Sequence, residues 1–145
     1  MPLHFCTICN DRHSRSTAVD GLVVREGKIL LIKRGKNPEK GKWAIPGGYI
    51  ERDETVEEAC LREVLEETGI VGKVVSLMGV YSSPQRHPSQ TIALLYVVEM
   101  AGGTEKSGDD AMDVRWFSTT DLPSSLAFDH KVMIEEYTKH TAQGG

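Results

Sequence analysis

The chain has 145 residues, 39% hydrophobic and 26% charged, with a formal net charge of −4. That describes one globular domain, long enough to bury a core without disulfide or metal staples. No apolar run approaches the roughly 18 residues a bilayer span needs, and the N-terminal MPLHFCTICNDRHSR lacks a signal-peptide apolar segment, so neither membrane nor secretion is expected. Three unevenly spaced cysteines make no disulfide framework and agree with a reducing, cytoplasmic setting.

In chain order, residues 1–16 read as a polar, loosely tied arm and 17–145 as a single domain. TAVDGLVV and KILLIKR read as strands around a turn at Glu26-Gly27, a hairpin. RGKNPEKGK is a loop by its Gly, Asn and Pro content. WAIP is a short strand stopped by Pro46 and followed by Gly47-Gly48. A helix is predicted from Val56 to Thr68, where Thr55 and Glu58 fit a capping box and Gly69 a C-terminal stop. KVVSLMGVYSS, TIALLYVVEM and the shorter DVRWFS read as strands, and Phe128 to Lys139 as a terminal helix whose cap would be Asp129. Strands on both sides of one helix, with a second helix at the end, predict a mixed α/β sandwich.

The charge is unevenly divided. Between Glu51 and Glu67 stand eight acids and two bases, while the remainder carries a net +2. A field that local points to counter-cations before nucleic acid. At about 100° per residue, Val56, Cys60, Leu61, Val64 and Leu65 form the buried stripe of the helix. Glu63, Glu66 and Glu67 fall together beside it, in a sector shared with Ala59 that leaves space for a ligand. Glu66 and Glu67 sit near the negative end of the helix dipole, and Glu63 and Glu67 are a like-charged i,i+4 pair that costs about 0.2–0.5 kcal/mol. Helix stability does not select this arrangement, whereas hard oxygen ligands for Mg²⁺ or Mn²⁺ would. Arg62, with Glu58 one turn earlier and Glu54 nearby, is expected to tether the loop and orient carboxylates.

Gly48, Glu54, Arg62-Glu63-Val64, Glu66-Glu67 and Gly69-Ile70 stand at the spacing G-x5-E-x7-R-E-U-x-E-E-x-G-U, U being aliphatic. This resembles the Nudix box at every specified position, and nine such positions at fixed spacing make coincidence a poor explanation. The resemblance implies an α/β/α sandwich with a mixed β-sheet. It also implies Mg²⁺- or Mn²⁺-dependent hydrolysis of a nucleoside diphosphate linked to another moiety, by activated water attacking phosphorus. Carried over by position, Glu66 and Glu67 would be metal ligands, Glu63 a ligand or the base, and the Gly47 carbonyl a further donor. Gly48, Glu54, Arg62 and Gly69 would shape the loop and helix. Asp53 stands where many members have glycine, a change its turn tolerance should absorb.

Beyond the box, Arg34 in the basic run before the double glycine and Arg86 in SSPQRHPSQT are the candidate substrate contacts. Asp109, Asp110 and Asp113 precede a strand; in many relatives a carboxylate from this region reaches the metal cluster, and Asp110 is the favoured one. SPQRHPSQT, DDAMDVRWFSTTDLP and LAFDHKVMI are similar to the small ADP-ribose pyrophosphatase branch, which implies ADP-ribose or a related compound as substrate and, by family habit, a homodimer. The alternatives are a house-cleaning triphosphate pyrophosphohydrolase acting on oxidised nucleotides, and a non-catalytic nucleotide sensor. A sensor typically loses box carboxylates that this chain keeps. Cys6-x-x-Cys9 with His13 resembles half a zinc ribbon. A closed structural Zn²⁺ site needs four ligands, and with only His4 spare nearby the arm reads instead as carrying two free thiols. A nucleic-acid module built on that arm is disfavoured by the acidic balance.

Overall fold

The computed structural model describes residues 7–8 and 13–144. Cys6, Cys9 and His4 lie outside the described residues. Among those described, seven strands and two helices follow in the order β1 (Thr17–Arg25), β2 (Lys28–Arg34), β3 (Trp43–Ala44), β4 (Gly47–Tyr49), α1 (Val56–Thr68), β5 (Ile70–Tyr81), β6 (Ile92–Gly103), β7 (Ala111–Ser118) and α2 (His130–Gly144). They build one sheet with the path β3-β2-β1-β6-β5, where β4 also pairs β1 and β7 also pairs β2. β1 runs parallel to β6 and antiparallel to β2 and β4, so the sheet is mixed as expected.

The hairpin at Glu26-Gly27 closes by a two-residue loop, with Val24 opposite Ile29 and both turn residues at positive φ (49° and 76°). Left-handed geometry at both positions matches the right-handed twist of the strands it joins. β1 then alternates between the two faces of the sheet. Val19 and Val23 pack with Ala59, Cys60 and Val64 of α1, while Leu22 packs with Met133 and Ile134 of α2. β2 divides likewise, Leu30 toward α1 and Ile29 and Leu31 toward α2. The helices therefore cover opposite faces. Each fully buried Val, Leu or Ile contributes roughly 1.5–3 kcal/mol.

α1 begins and ends where its sequence says. Thr55 is the N-cap in extended geometry, its hydroxyl accepts from Glu58 N, and the Glu58 carboxylate accepts from Thr55 N. Gly69 at φ 77° donates its N–H to the Leu65 carbonyl. A Cβ on Gly21 of β1 would lie 2.6 Å from Val64 Cγ2 and 2.9 Å from Cys60 Sγ, so that glycine lets the helix seat directly on the strand.

Several expectations need correction. Leu65 is 49% exposed and Glu67 takes its place among the buried residues of α1. Ala59 is wholly buried in the core and leaves no ligand space above it. Glu58 serves the cap, and Arg62 turns to other acids. The double glycine forms β4 instead of ending a strand, because it pairs with β1 through Val19–Gly48 and Asp20–Gly47. The last helix starts at His130, since Phe128 stands at φ 50°, outside helical geometry. Asp129 does not cap it by side chain, because both carboxylate oxygens accept from Arg86. The end of the arm is tied: Arg15 donates to the Gln90 and Ser82 carbonyls.

Candidate active site

β4 passes beneath the acidic flank of α1, and its glycines permit the approach. A Cβ on Gly48 would stand 2.6 Å from the Glu63 carboxyl carbon. Gly47 N–H donates to Glu67 Oε2 at 2.9 Å, which fixes that carboxylate against the strand. Above them Glu63, Glu66 and Asp109 bring carboxylate oxygens within 4.8 Å of one another. Asp109 reaches this group from the β6–β7 connection, at a positive φ of 53°.

Arg62 binds this edge together. It donates to both oxygens of Glu54 (2.9 and 2.7 Å), to Glu63 (2.9 Å), to Glu66 (3.3 Å) and to the Tyr49 carbonyl (3.1 Å). Those bonds, with one from Glu51 N–H, hold the Glu54 carboxyl down to about 2. The arrangement gives the spacing of Glu54 and Arg62 a physical reason: one planar fork bridges the loop to the carboxylates of α1. Lysine has one charge point and cannot reproduce it. Arg62→Lys is therefore expected to lower turnover roughly 10–100-fold and melting by several degrees; kinetics and thermal melts check both. Asp53 stands at φ 67°, the left-handed geometry that glycine adopts freely and aspartate tolerates.

Inside the site, burial acts against charge. It pushes the Glu67 carboxyl up to about 8, with Glu63, Asp20 and Asp109 adding repulsion, against the Gly47 hydrogen bond. Burial also raises Glu63, which Arg62 opposes, and it lifts Asp20 to about 7. The donor set is all oxygen, negative and partly dry, which fits a hard divalent cation.

The acids open on a cleft of about 500 Å³ that reaches to Phe128, His87 and Arg34. The Arg34 guanidinium donates its Nε to the Pro38 carbonyl at 2.8 Å, and its Cζ lies 5.0 Å from the Phe128 ring centroid. Among the described residues its two Nη atoms bond no protein group, so it remains available to a phosphate. Arg86 is different. Asp129 takes its guanidinium at 3.0 and 2.8 Å, the Thr91 carbonyl takes Nη1 at 2.9 Å, and its side chain is 4% exposed. It braces the wall, and most of its donors are already used.

Asp110 also lines the cleft, but its carboxylate pairs with Lys36 at 2.6 Å; the acid that meets Glu63 and Glu66 is its neighbour Asp109. One residue of slippage in a loop is enough to exchange them. Sequence reasoning missed Asp20, Phe128 and His87 as lining residues. Asp20 had a signal, being a lone carboxyl inside the buried run of β1. Phe128 and His87, whose rings stack with centroids 4.7 Å apart, had none.

The NUDIX domain model matches residues 14–137. The chain belongs to the NUDIX family. It is a Nudix hydrolase, with every box carboxylate present on α1 and its loop. It is 50% identical over 125 residues to an ADP-ribose pyrophosphatase of Methanocaldococcus jannaschii, covering 86% of this chain and 73% of that protein. Among solved structures it resembles a MutT/nudix family protein of Enterococcus faecalis with TM-score 0.79 and 26% identity, over 91% of this chain and 64% of that one. It likewise resembles the NUDIX domain of Shewanella oneidensis NrtR, solved with ADP-ribose, with TM-score 0.78 and 26% identity, over 89% and 90% of the two chains. Nudix hydrolases depend on a divalent metal, and the acidic group described above has the oxygen donors to hold one. No helix among the described residues is long and apolar enough to cross a membrane.

Proposed function

We propose that the protein hydrolyses the diphosphate of ADP-ribose or a close relative, giving AMP and ribose 5-phosphate, with Mg²⁺ or Mn²⁺. The convergence of Glu63, Glu66 and Asp109 at the mouth of the cleft, with Glu67 behind them, carries this reading. A divalent cation bound there would supply charge to the phosphate oxygens and acidity to water. Glu66 and Asp109 would hold it, with Glu67 and the Gly47 carbonyl completing the set. Glu63 is our assignment for the base, because burial raises its affinity for a proton and Arg62 and Gly48 fix its position. Arg34 receives a phosphate of the substrate on its unused Nη atoms.

A metal-dependent hydrolysis screen over ADP-ribose, NADH, diadenosine polyphosphates and oxidised deoxynucleoside triphosphates tests the reading. AMP and ribose 5-phosphate from ADP-ribose support it, while monophosphate plus pyrophosphate from an oxidised triphosphate would favour the house-cleaning alternative. No hydrolysis of any of them with added metal refutes it. Within this frame Asp109→Asn is expected to weaken metal binding and turnover at least roughly tenfold. Asp110→Asn removes only an exposed ion pair worth about 0–1 kcal/mol and should change turnover little. Metal titrations and initial rates of the two variants decide which aspartate serves the site.

A further inference from the structure

Asp20 has no part in the hydrolytic scheme above, yet it lies on the floor of the same cleft. Its side chain is nine-tenths buried. Among the described residues neither of its oxygens accepts a hydrogen bond, and His130 Nε2 stands 3.8 Å from Oδ2. Neither oxygen is sealed off without a partner, so what stays open of this largely buried carboxyl faces the cleft, and the protein packed around it offers it no hydrogen bond. It is not a member of the metal-facing group, which is Glu63, Glu66 and Asp109.

The surroundings narrow what it can receive. His130 Nδ1 accepts the Ile45 N–H at 3.0 Å, so the ring of a neutral histidine carries its proton on Nε2, beside Asp20. Oδ1 lies against β4, where a Cβ on Gly47 would come within 2.2 Å of it. Arg86, the cation nearest in charge influence, is consumed by Asp129 and Thr91. Among the described residues this part of the cleft thus offers a carboxyl that accepts no hydrogen bond and a neutral donor next to it, while the unused Arg34 Nη atoms are the cation of the same cleft. A phosphate would be repelled, whereas vicinal hydroxyls match a carboxyl and a neighbouring N–H.

We propose that Asp20, with His130 beside it, reads a ribose diol of the substrate and so separates ribose-bearing diphosphates from those lacking the diol. The proposal rests on the hydrolase reading and adds a residue that sets specificity. ADP-ribose has two ribose diols, and the experiment tells them apart. Asp20→Ala and Asp20→Asn are compared with the wild type on three compounds: ADP-ribose, the methyl ester of ADP, which lacks the second ribose, and the 2′,3′-dideoxyadenosine form of ADP-ribose. With ADP-ribose, kcat/KM of Asp20→Ala should fall roughly 10–100-fold, chiefly through KM, with partial recovery in Asp20→Asn. The penalty should shrink to within about threefold on whichever analogue lacks the diol that is read. Both variants should melt at or above the wild-type temperature without metal, because an unpaired buried carboxyl is gone. No penalty, an equal penalty on all three compounds, or a clearly lower melting temperature overturns the proposal. A wild type that hydrolyses none of the three refutes the ADP-ribose reading itself. Calorimetric titration with AMP and ribose 5-phosphate, which needs no turnover, then still decides: failure of Asp20→Ala to weaken binding of either overturns the diol assignment.

Discussion

Glu67→Gln is expected to lower turnover by roughly three orders of magnitude while leaving the metal-free fold as stable as before or more so. The two effects have one cause. Glu67 is 7% exposed, its carboxyl is pushed up to about 8 by burial, and Glu63, Asp20 and Asp109 all repel its charge. Glutamine keeps an oxygen to accept the Gly47 N–H and nearly the same shape, so the local geometry survives. It removes the negative charge that a cation needs and that folding disfavours. Glu66→Gln should behave alike in turnover with a smaller effect on stability, since Glu66 is exposed and shares Arg62. Steady-state rates at saturating Mg²⁺ or Mn²⁺, alongside melts in chelator, read both quantities. Near-normal rates in either variant would contradict the assignment of these carboxylates.

The same opposition between stability and charge explains how much was legible beforehand. α1 could be bounded from sequence because Thr55, Glu58 and Gly69 act locally, within one turn of the residues they cap. The hairpin was readable for the same reason, its two-residue turn being fixed by its own backbone. The loop at residues 82–91 was placed between the right strands because apolar runs flank it. Partnerships across the fold were not legible. Arg62 has Glu58 one helical turn away, yet Glu58 is occupied by the cap and the guanidinium finds Glu54 eight residues earlier. Arg86, read as a candidate substrate contact, is held by Asp129, a partner 43 residues on that no local pattern announces. Asp109 and Asp110 differ in which way a left-handed residue turns the chain, and Asp110 is held by Lys36 and by the Gly35 N–H, partners from more than 70 residues earlier. Leu65 and Glu67 exchanged burial because β4 runs under the acidic flank of the helix and draws Glu67 in through a backbone hydrogen bond. Helical periodicity describes a helix against a flat apolar neighbour, and here part of that neighbour is a pair of bare glycine peptides.

Between pH 6.5 and 8.5 the metal-free protein is expected to lose stability as pH rises. Glu67 holds its proton in the fold up to about 8, from an ordinary value of 4.5, so the folded state binds more protons than the unfolded chain throughout that interval. Its contribution is fully present below about 4.5 and is lost as pH climbs through about 8. Asp20, raised to about 7, acts in the same sense over the lower part of the window. His130 acts oppositely, since burial lowers it from 6.5 to about 3 and stability falls as pH drops below 6.5. Its opposing slope fades over the first pH unit above 6.5, where the unfolded histidine loses its remaining protons and the folded one is already neutral, and the raised Glu67 and Asp20 outweigh it there. For Glu67 the interval from 6.5 to 8 corresponds to about 2 kcal/mol at 1.36 kcal/mol per pH unit. A divalent cation must find its ligands deprotonated, so its stabilising effect grows with pH and should flatten or reverse the decline. Thermal melts across this window, in chelator and in excess Mg²⁺ or Mn²⁺, make the comparison directly. Glu67→Gln should reduce the metal-free slope to the smaller part left by Asp20 and should weaken the gain on adding metal. Equal slopes for the wild type and Glu67→Gln, or a metal-free protein that grows more stable from pH 6.5 to 8.5, would mean that Glu67 is not the buried acid that couples this fold to its cation.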